Sequence, residues 1–360
     1  MERVLVVNAG SSSLKLRLLG PDDEVLADRE VERWDGDPGH ADIADFVRGL
    51  DAVDAVGHRV VHGGSRFTAA TVLDDDAVAA VEDLIPLAPL HQPRALAGIR
   101  ATATLLPDVP AVACFDTAFH VTLPPAAQTY ALPAEWNRRF GLRRFGFHGL
   151  SHAWAARRAA ELLARPLREV RLVSAHLGAG ASLCAVAGGR SVATTMGFTP
   201  LEGLVMATRS GDVDPGLLLW LQQQADVTVE DLADGLERRS GLAGLSGTSG
   251  DMRDVLAGVD AGDPDARLAY DVWLHRLRAG VAAMAAAMGG IDALAFTGGI
   301  GEHVARARAD ACAGLAFLGL AVDDAANAAT TADAVIGGAV VVVTAREDLQ
   351  VATEVRAVLR

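Results

Sequence analysis

Lysine is almost missing from this 360-residue chain: Lys15 is the only one, and every other strong base is Arg. Positive charge is scarce in general, with 32 Lys and Arg against 46 Asp and Glu and a net charge of −14. That balance excludes a broad nucleic-acid surface. Cysteine is also rare. Cys114, Cys184 and Cys312 stand far apart in apolar runs with no CxxC pair. This excludes a disulfide framework or a zinc site and fits reduced thiols in a cytosol. No long uninterrupted apolar run is present. The longest stretch, Ala279 to Phe296, is Ala/Gly-rich and broken by Asp292, so it reads as a buried helix followed by a strand, not a membrane span. The amino terminus, MERVLVVNAG, has too few apolar residues before its polar turn for a signal peptide, and a cytoplasmic protein is expected.

What is present fits a soluble globular protein, 51% apolar and 22% charged, long enough for two domains. Val4 to Asn8 reads as a buried strand and Ala9 to Ser12 as a turn. Leu14, Leu16 and Leu18 then alternate with Lys15 and Arg17 as a half-buried strand. A strand near Val25 to Val31, a helix over 41–50, a strand over 52–61, helical segments over 75–106 and a strand over 111–115 follow. In the second half, Ser151 reads as the N-cap of a helix to about Ala164. Strands are expected over 170–177, 183–187, around Val192, over 293–297 and over 339–343. Helices are expected over 215–224, 229–238, 264–288, after Gly301, and over 347–359. Strand, Gly/Ser turn, strand occurs twice, as VVNAGSSSLKL and SAHLGAGASLCAV, each opening a run of three strands. This weak repeat predicts two α/β domains of like topology facing each other across a cleft, a favoured place for a ligand.

Three Gly-rich turns follow apolar strands: Gly10 to Lys15, Gly178 to Ser182, and Gly298 to Gly301 ahead of a helix. Glycines let backbone N–H groups approach phosphate oxygens, and a helix amino terminus adds a positive dipole end. None matches GxxxxGK[ST] or GxGxxG. One such turn is usually only a turn; three at strand ends point towards a polyphosphate nucleotide. Lys15, placed after Gly-Ser-Ser-Ser, is either a point charge for phosphate or a chance survivor. Arg59 and Arg209 sit beside glycines, where an Arg either forks onto an anion or makes a surface salt bridge. Asp116, His120 and His148 follow apolar strands or Gly turns, as functional groups do in α/β folds, and as capping or packed residues also do. HExxH spacing is absent, so no zinc site is proposed.

The segments VLVVNAGSSSLKL, GHRVVHGG, LAPLHQP, CFDTAFH, FGFHGLSH, HLGAGAS, TTMGFTPLEGLVMATRSGDVDP, SGLAGLSGTSGDMRD, FTGGIGEH and REDLQVA occur together in one order. In that order and at that spacing the chain resembles the acetate kinases over nearly its whole length. The resemblance implies two related ribonuclease-H-like (actin-like ATPase) domains around a central cleft. The first would cover residues 1–120, completed by the C-terminal helix 347–360, and the second 121–346, carrying the nucleotide pocket and a homodimer surface. It implies ATP and acetate as substrates, with Mg²⁺ or Mn²⁺ in its place, and no nucleic-acid or membrane partner. Ser11, Ser13, Lys15 and the run His176, Leu177, Gly178, Ala179 and Gly180 would meet ATP phosphates. Asp251, Met252, Arg253, Gly299, Ile300, Gly301, Glu302 and His303 would line the rest of the nucleotide pocket. Asn8 and Glu347 would hold the metal. Arg59 and Arg209 would grip the acetate carboxylate and the moving phosphoryl group. His148 would donate to an equatorial oxygen, and Asp116 would orient the set. Val61, Leu90, Phe147 and Pro200 would form a methyl pocket.

Four departures accompany the match. Ala179, His303 and Arg346 each stand where the family usually has Asn, and the segment between Gly20 and Asp54 is shorter than usual. The first two bear on nucleotide affinity and on the choice of phosphoryl donor, so pyrophosphate stays a rival to ATP. Propionate and butyrate stay rivals to acetate, because a methylene in an apolar pocket is worth only about 1–3 kcal/mol. A non-catalytic nucleotide sensor would need the Arg59, Asp116, His148, Arg209 set to have decayed, and all four are present.

Overall fold

The computed structural model describes residues 2–10, 13–32, 34, 36 and 41–360. The chain divides into two compact units. The first holds residues 1–121, 147–154 and 346–360, and the second holds 122–146 and 155–345.

The first unit is built on a six-stranded sheet: β1 (Val4–Ala9), β2 (Ser13–Leu19), β3 (Val25–Glu32), β4 (Ala55–Val60), β5 (Thr71–Val72) and β6 (Ala111–Phe115), in the order β3-β2-β1-β4-β6-β5. β1, β2 and β3 form an antiparallel meander, β4 and β6 run parallel to β1, and β5 is an antiparallel edge. Successive side chains alternate between faces. One face packs Val4, Val6, Leu19, Val112 and Cys114 under Leu349, Val351 and Val355 of the helix Glu347–Val358. Gly57 is required there, because a Cβ would lie 2.5 Å from Val351 Cγ1. The other face packs Leu5, Val7 and Leu16 against Ile43 and Phe46 of the helix Ala41–Arg48 and Ala101 of the helix Gln92–Leu105.

The second unit repeats the plan with β7 (Arg171–Leu177), β8 (Ala181–Ala187), β9 (Arg190–Thr194), β10 (Ala293–Thr297), β11 (Ala334–Gly337) and β12 (Val340–Val342), in the order β11-β12-β10-β7-β8-β9. Again three strands form an antiparallel meander, two more run parallel to the first, and a short antiparallel strand closes the edge. The helix Pro264–Ala287 buries Trp273, Leu277 and Val281 and packs on β7, β8 and β9. This strand-by-strand correspondence is the repeat that the two Gly/Ser turns announce. Among the described residues no helix is long and apolar enough to cross a membrane, and the three cysteines are free and buried.

Two local readings are corrected: Gly298 to Gly301, expected as a turn ahead of a helix, instead opens the helix Gly298–His303, and a helix start is displaced. The helix expected to start at Ser151 runs Gly149–Leu162, so Ser151 is a fully buried residue of its first turn, not its cap. The start is displaced because His148 adopts a left-handed φ of 56°, which ends the extended segment one residue before Gly149.

Candidate active site

β1, β4 and β6 run parallel, so their carboxyl ends lie side by side, where open α/β sheets present functional groups. Asn8 on β1 is the register partner of Lys15 on β2 and of Arg59 on β4, and Asp116 directly follows β6. Arg59 forks onto Asp116: Nε donates to Oδ1 at 3.2 Å and Nη2 to Oδ2 at 2.7 Å. Its Nη1 donates to Asn8 Oδ1 at 3.2 Å. Asn8 Nδ2 donates to Glu347 Oε2 at 3.1 Å, and that oxygen lies 3.8 Å from Arg59 Nε. The Asp116 side chain is 1% exposed and that of Arg59 14%. A planar guanidinium suits this bidentate geometry and an ammonium does not. Breaking such a buried pair from one side costs about 3–5 kcal/mol, because the other charge is stranded. Burial opposes the charge on Arg59, but Asp116 and Glu347 outweigh it and hold its pKa above the ordinary guanidinium value. Burial pushes the Asp116 carboxyl up, against the pull of Arg59, while Glu347 adds to the rise.

The turn that carries His148 wraps round the same aspartate. The backbone N–H of His148 meets the Asp116 carboxylate, and the N–H of Gly149 donates to the Asp116 carbonyl at 3.0 Å. A Cβ at Gly149 would stand 2.1 Å from that carbonyl oxygen, so only glycine fits. The positive φ of His148 is the kind of strain found where a side chain must be aimed. Phe147 and Val61 are buried. The His62 ring meets Phe147 edge-on at 5.4 Å, and His120 Nε2 lies 2.9 Å from the Phe147 carbonyl oxygen. Leu90 is 43% exposed. Lys15 directs its ammonium across the hairpin to Glu30 at 3.2 Å, an exposed pair that contributes little and can open. Ser13 begins β2, and its carbonyl accepts from Gly10 N–H at 2.8 Å. Ser11 lies outside the described residues.

The second unit contains a cleft of about 770 Å³, lined by backbone-rich segments that include Gly178, Ala179, Gly250, Asp251, Gly299 and His303. Met252, Arg253 and Ile300 also line it; His176, Leu177, Gly180, Gly301 and Glu302 do not. The turn after β7 is tied at both ends, Gly178 N–H to Gly180 O at 3.0 Å and Ala207 N–H to Ala179 O at 3.1 Å. Gly298 has φ 77°, and a Cβ there would lie 2.9 Å from the Leu177 carbonyl oxygen. Glu302 turns away to accept from Gly298 N–H at 2.9 Å and Ala345 N–H at 3.0 Å. Asp251 caps the helix Met252–Asp260 and accepts two bonds from the Arg253 guanidinium, at 3.0 and 2.6 Å. Those bonds hold the Asp251 carboxyl at about 2.

Residues Ala207, Ser249, Gly250 and Val304 join this lining without a sequence reading having named them. Arg308 is a further omission. Fully buried, it donates to the carbonyls of Gly301 (2.9 Å), Glu302 (2.7 Å) and Asn327 (2.8 Å), and so anchors the end of the helix Gly298–His303. Its signal is a charged residue on the buried side of an Ala-rich helix. Arg209, also in the second unit, donates from Nη1 to the Pro200 carbonyl at 2.6 Å. Burial draws its pKa below the ordinary guanidinium value, with Glu237 opposing.

The acetokinase family profile matches residues 40–353. The chain belongs to the acetokinase family. Members of this family are phosphotransferases whose acceptor is a carboxyl group. An acetate kinase from Gloeobacter violaceus is 50% identical over 308 residues, 84% of this chain and 76% of that protein. A propionate kinase from Citrobacter rodentium is 46% identical over 355 residues, 90% of this chain and 88% of its own. The crystal structure of Porphyromonas gingivalis acetate kinase superposes with a TM-score of 0.92 at 36% identity and covers 100% of both chains. The two six-stranded α/β units are thus the actin-like ATPase fold of this family, in agreement with the fold expected from the repeat and the motifs.

Proposed function

We propose that this acetokinase transfers the γ-phosphoryl group of ATP reversibly to the carboxylate of acetate. The observation that carries the reading is the Arg59–Asp116 fork with Asn8 and Glu347 at the strand ends of the first unit. The acceptor is already an anion at neutral pH, so no base is needed to form the nucleophile. A carboxylate oxygen attacks the γ-phosphorus, the bond to the β-phosphate bridging oxygen breaks, and ADP leaves with that electron pair. The obstacle is repulsion between two anions, and catalysis is positioning plus neutralisation. Arg59, kept charged by its carboxylate neighbours, and Arg209, with its fork half engaged on Pro200 O, supply the cationic groups. His148, aimed by its strained backbone, donates to an equatorial oxygen. The glycines of the second unit cradle the nucleotide. Val61, Leu90, Phe147 and Pro200 bound the acyl group.

Among the described residues no three His, Cys, Asp or Glu side chains are close enough to form a protein metal cage. Mg²⁺ does not need one, since it binds through one or two carboxylates, phosphates and waters. Asn8, Glu347 and Asp116 offer hard oxygen donors, and two carboxylates face a single guanidinium. Residues at this corner would therefore hold Mg²⁺, with Mn²⁺ as a substitute, and the ion when bound would neutralise phosphate charge.

Acyl-hydroxamate formation from ATP and Mg²⁺ tests the substrate across acetate, propionate and butyrate. Acetate is expected to give the highest kcat/KM, and a higher value for butyrate would reject the assignment. A cytoplasmic homodimer completes the proposal. The helix Pro215–Gln224 has no buried residue and exposes Leu217, Leu219 and Trp220, an apolar face that a second copy would cover. Sedimentation at micromolar concentration should report about twice 37.4 kDa; a fully active monomer would refute the dimer.

A further inference from the structure

Behind Pro200 and Arg209 lies a polar cluster that the phosphoryl-transfer reading leaves unused. The Tyr130 hydroxyl donates to Glu202 Oε2 at 2.6 Å and accepts from the backbone N–H of Phe198 at 2.7 Å. Arg144 spans the same loop, with Nη1 donating to the carbonyls of Thr195 and Met196, both at 2.9 Å, and Nη2 donating to Glu202 Oε1. Its guanidinium carbon stands 5.5 Å from the centroid of the Tyr130 ring. The neighbouring backbone joins in: Phe145 N–H and Gly146 N–H both donate to the Gly197 carbonyl, at 3.0 and 3.2 Å. No space is left over. A Cβ at Gly197 would fall 1.6 Å from Glu202 Oε2 and 2.3 Å from the Tyr130 hydroxyl. The far end of the loop is pinned separately, because Gly203 N–H donates to Asp212 Oδ1 at 2.8 Å and Asp212 N–H returns to Gly203 O at 3.0 Å.

The loop between these anchors carries Pro200, whose carbonyl accepts from Arg209 Nη1. Every contact in this chain of bonds lies within the second unit. Burial and the adjacent Glu202 carboxylate push the Tyr130 phenol well above its ordinary pKa, so the hydroxyl stays a donor across the working range. A neutral phenol between a carboxylate and a backbone N–H satisfies both in one geometry.

We propose that Tyr130, Glu202 and Arg144 are positioning residues that fix the loop 195–203, and through it set both the turnover rate and the discrimination between acetate and longer carboxylates. The proposal rests on the roles given above to Pro200 and Arg209. A loop held at Phe198 and Glu202 keeps the proline between them at one depth, and it keeps Arg209 on the proline carbonyl. Loosening the loop frees room for a longer acyl chain and lets the guanidinium wander, which costs rate with the small substrate most.

Tyr130→Phe tests this, because it keeps the ring beneath Arg144 and removes only the hydroxyl. With acetate the expected loss in kcat is about tenfold, the scale of one misplaced charged contact. The ratio of kcat/KM for propionate to that for acetate should rise by about threefold or more. The KM for ATP should stay within about twofold of wild type, because no residue of the cluster lines the glycine cleft. Glu202→Gln keeps an acceptor for the phenol and removes the charge opposite Arg144, and it should shift the acyl ratio in the same direction by less. If folded Tyr130→Phe has the wild-type kcat and acyl ratio, the proposal is overturned. It is also overturned if activity falls equally for both acids together with melting temperature and ATP affinity, since that pattern marks a purely structural role. Arg209→Lys separates the underlying reading: wild-type kcat in that variant would remove Arg209 from the chemistry whatever Tyr130→Phe does.

Discussion

In the first unit the row that crosses the carboxyl ends of β1 and β4 and the start of antiparallel β2 reads Lys15, Asn8, Arg59; in the second unit the same row, across the carboxyl ends of β7 and β10 and the start of antiparallel β8, reads Ser182, His176, Thr297. The rows correspond because each meander closes one residue further on, at Ala9–Leu14 and at Leu177–Ala181. One sheet ends in long charged and amide side chains, with Asn8 and Arg59 bonded to each other and Lys15 paired with Glu30. The other ends in small or half-buried ones, and glycines follow its strands: Gly178 and Gly180 in a turn, and Gly298, Gly299 and Gly301 in the helix Gly298–His303. In the proposed reading the same topology would serve two tasks. A reacting group would be met by side chains, which can carry full charge. A polyphosphate would be met by backbone, which needs side chains out of the way.

Changes that blur this division test it. Arg59→Lys should have the largest effect. It replaces a two-pronged contact on Asp116 with a point charge and abandons Asn8. A fall in kcat of about a hundredfold or more, about 2.7 kcal/mol, is expected in steady-state assays. A variant within about threefold of wild type would make the side-chain row a structural clamp and erase the contrast. In the second unit, adding one methyl group at neighbouring glycines should split two effects. Gly298→Ala forces a residue with a Cβ into φ 77° and against Leu177, so the melting temperature should drop by the equivalent of about 1–3 kcal/mol. Gly299→Ala meets no atom within 4 Å. It should leave the melting temperature unchanged and raise the KM for ATP several-fold. Equal melting curves for the two variants would show that the cradle is not held by backbone geometry.

The sequence disclosed long elements better than short ones. Leu14, Leu16 and Leu18 against Lys15 and Arg17 mark β2 because one face is buried and the other is not. β5 and β11, edge strands of two and four residues, carry too few positions to show a period. The helices Ala134–Phe140 and Gly241–Ser246 were hidden by their brevity, and the first buries no side chain that could set a pattern. At the site, glycine turns pointed to the cleft from composition alone, whereas Ser249 and Val304 line it through their place in the fold. Arg59 and Asp116 are far apart in sequence, and only the register of β4 with β6 brings them together. Their local contexts singled each out and the family resemblance implied their roles; nothing in their local sequence specifies the fork. Lys15 shows the opposite case, since its rarity attracts notice while its ammonium rests on Glu30 through ordinary cross-strand pairing.

The helix Glu347–Val358 belongs to the first unit but follows the second unit in the chain. Elements nearer the amino terminus emerge earlier during translation. The face of β1, β4 and β6 that Leu349, Val351 and Val355 cover is therefore bare while the whole second unit is being synthesised. For that interval Val4, Val6 and Val112 lack the cover that Leu349, Val351 and Val355 provide. Glu347 arrives on the same helix and bonds Asn8, 339 residues away in sequence. A truncated product lacking that helix would carry neither a closed core nor the Asn8–Glu347 bond.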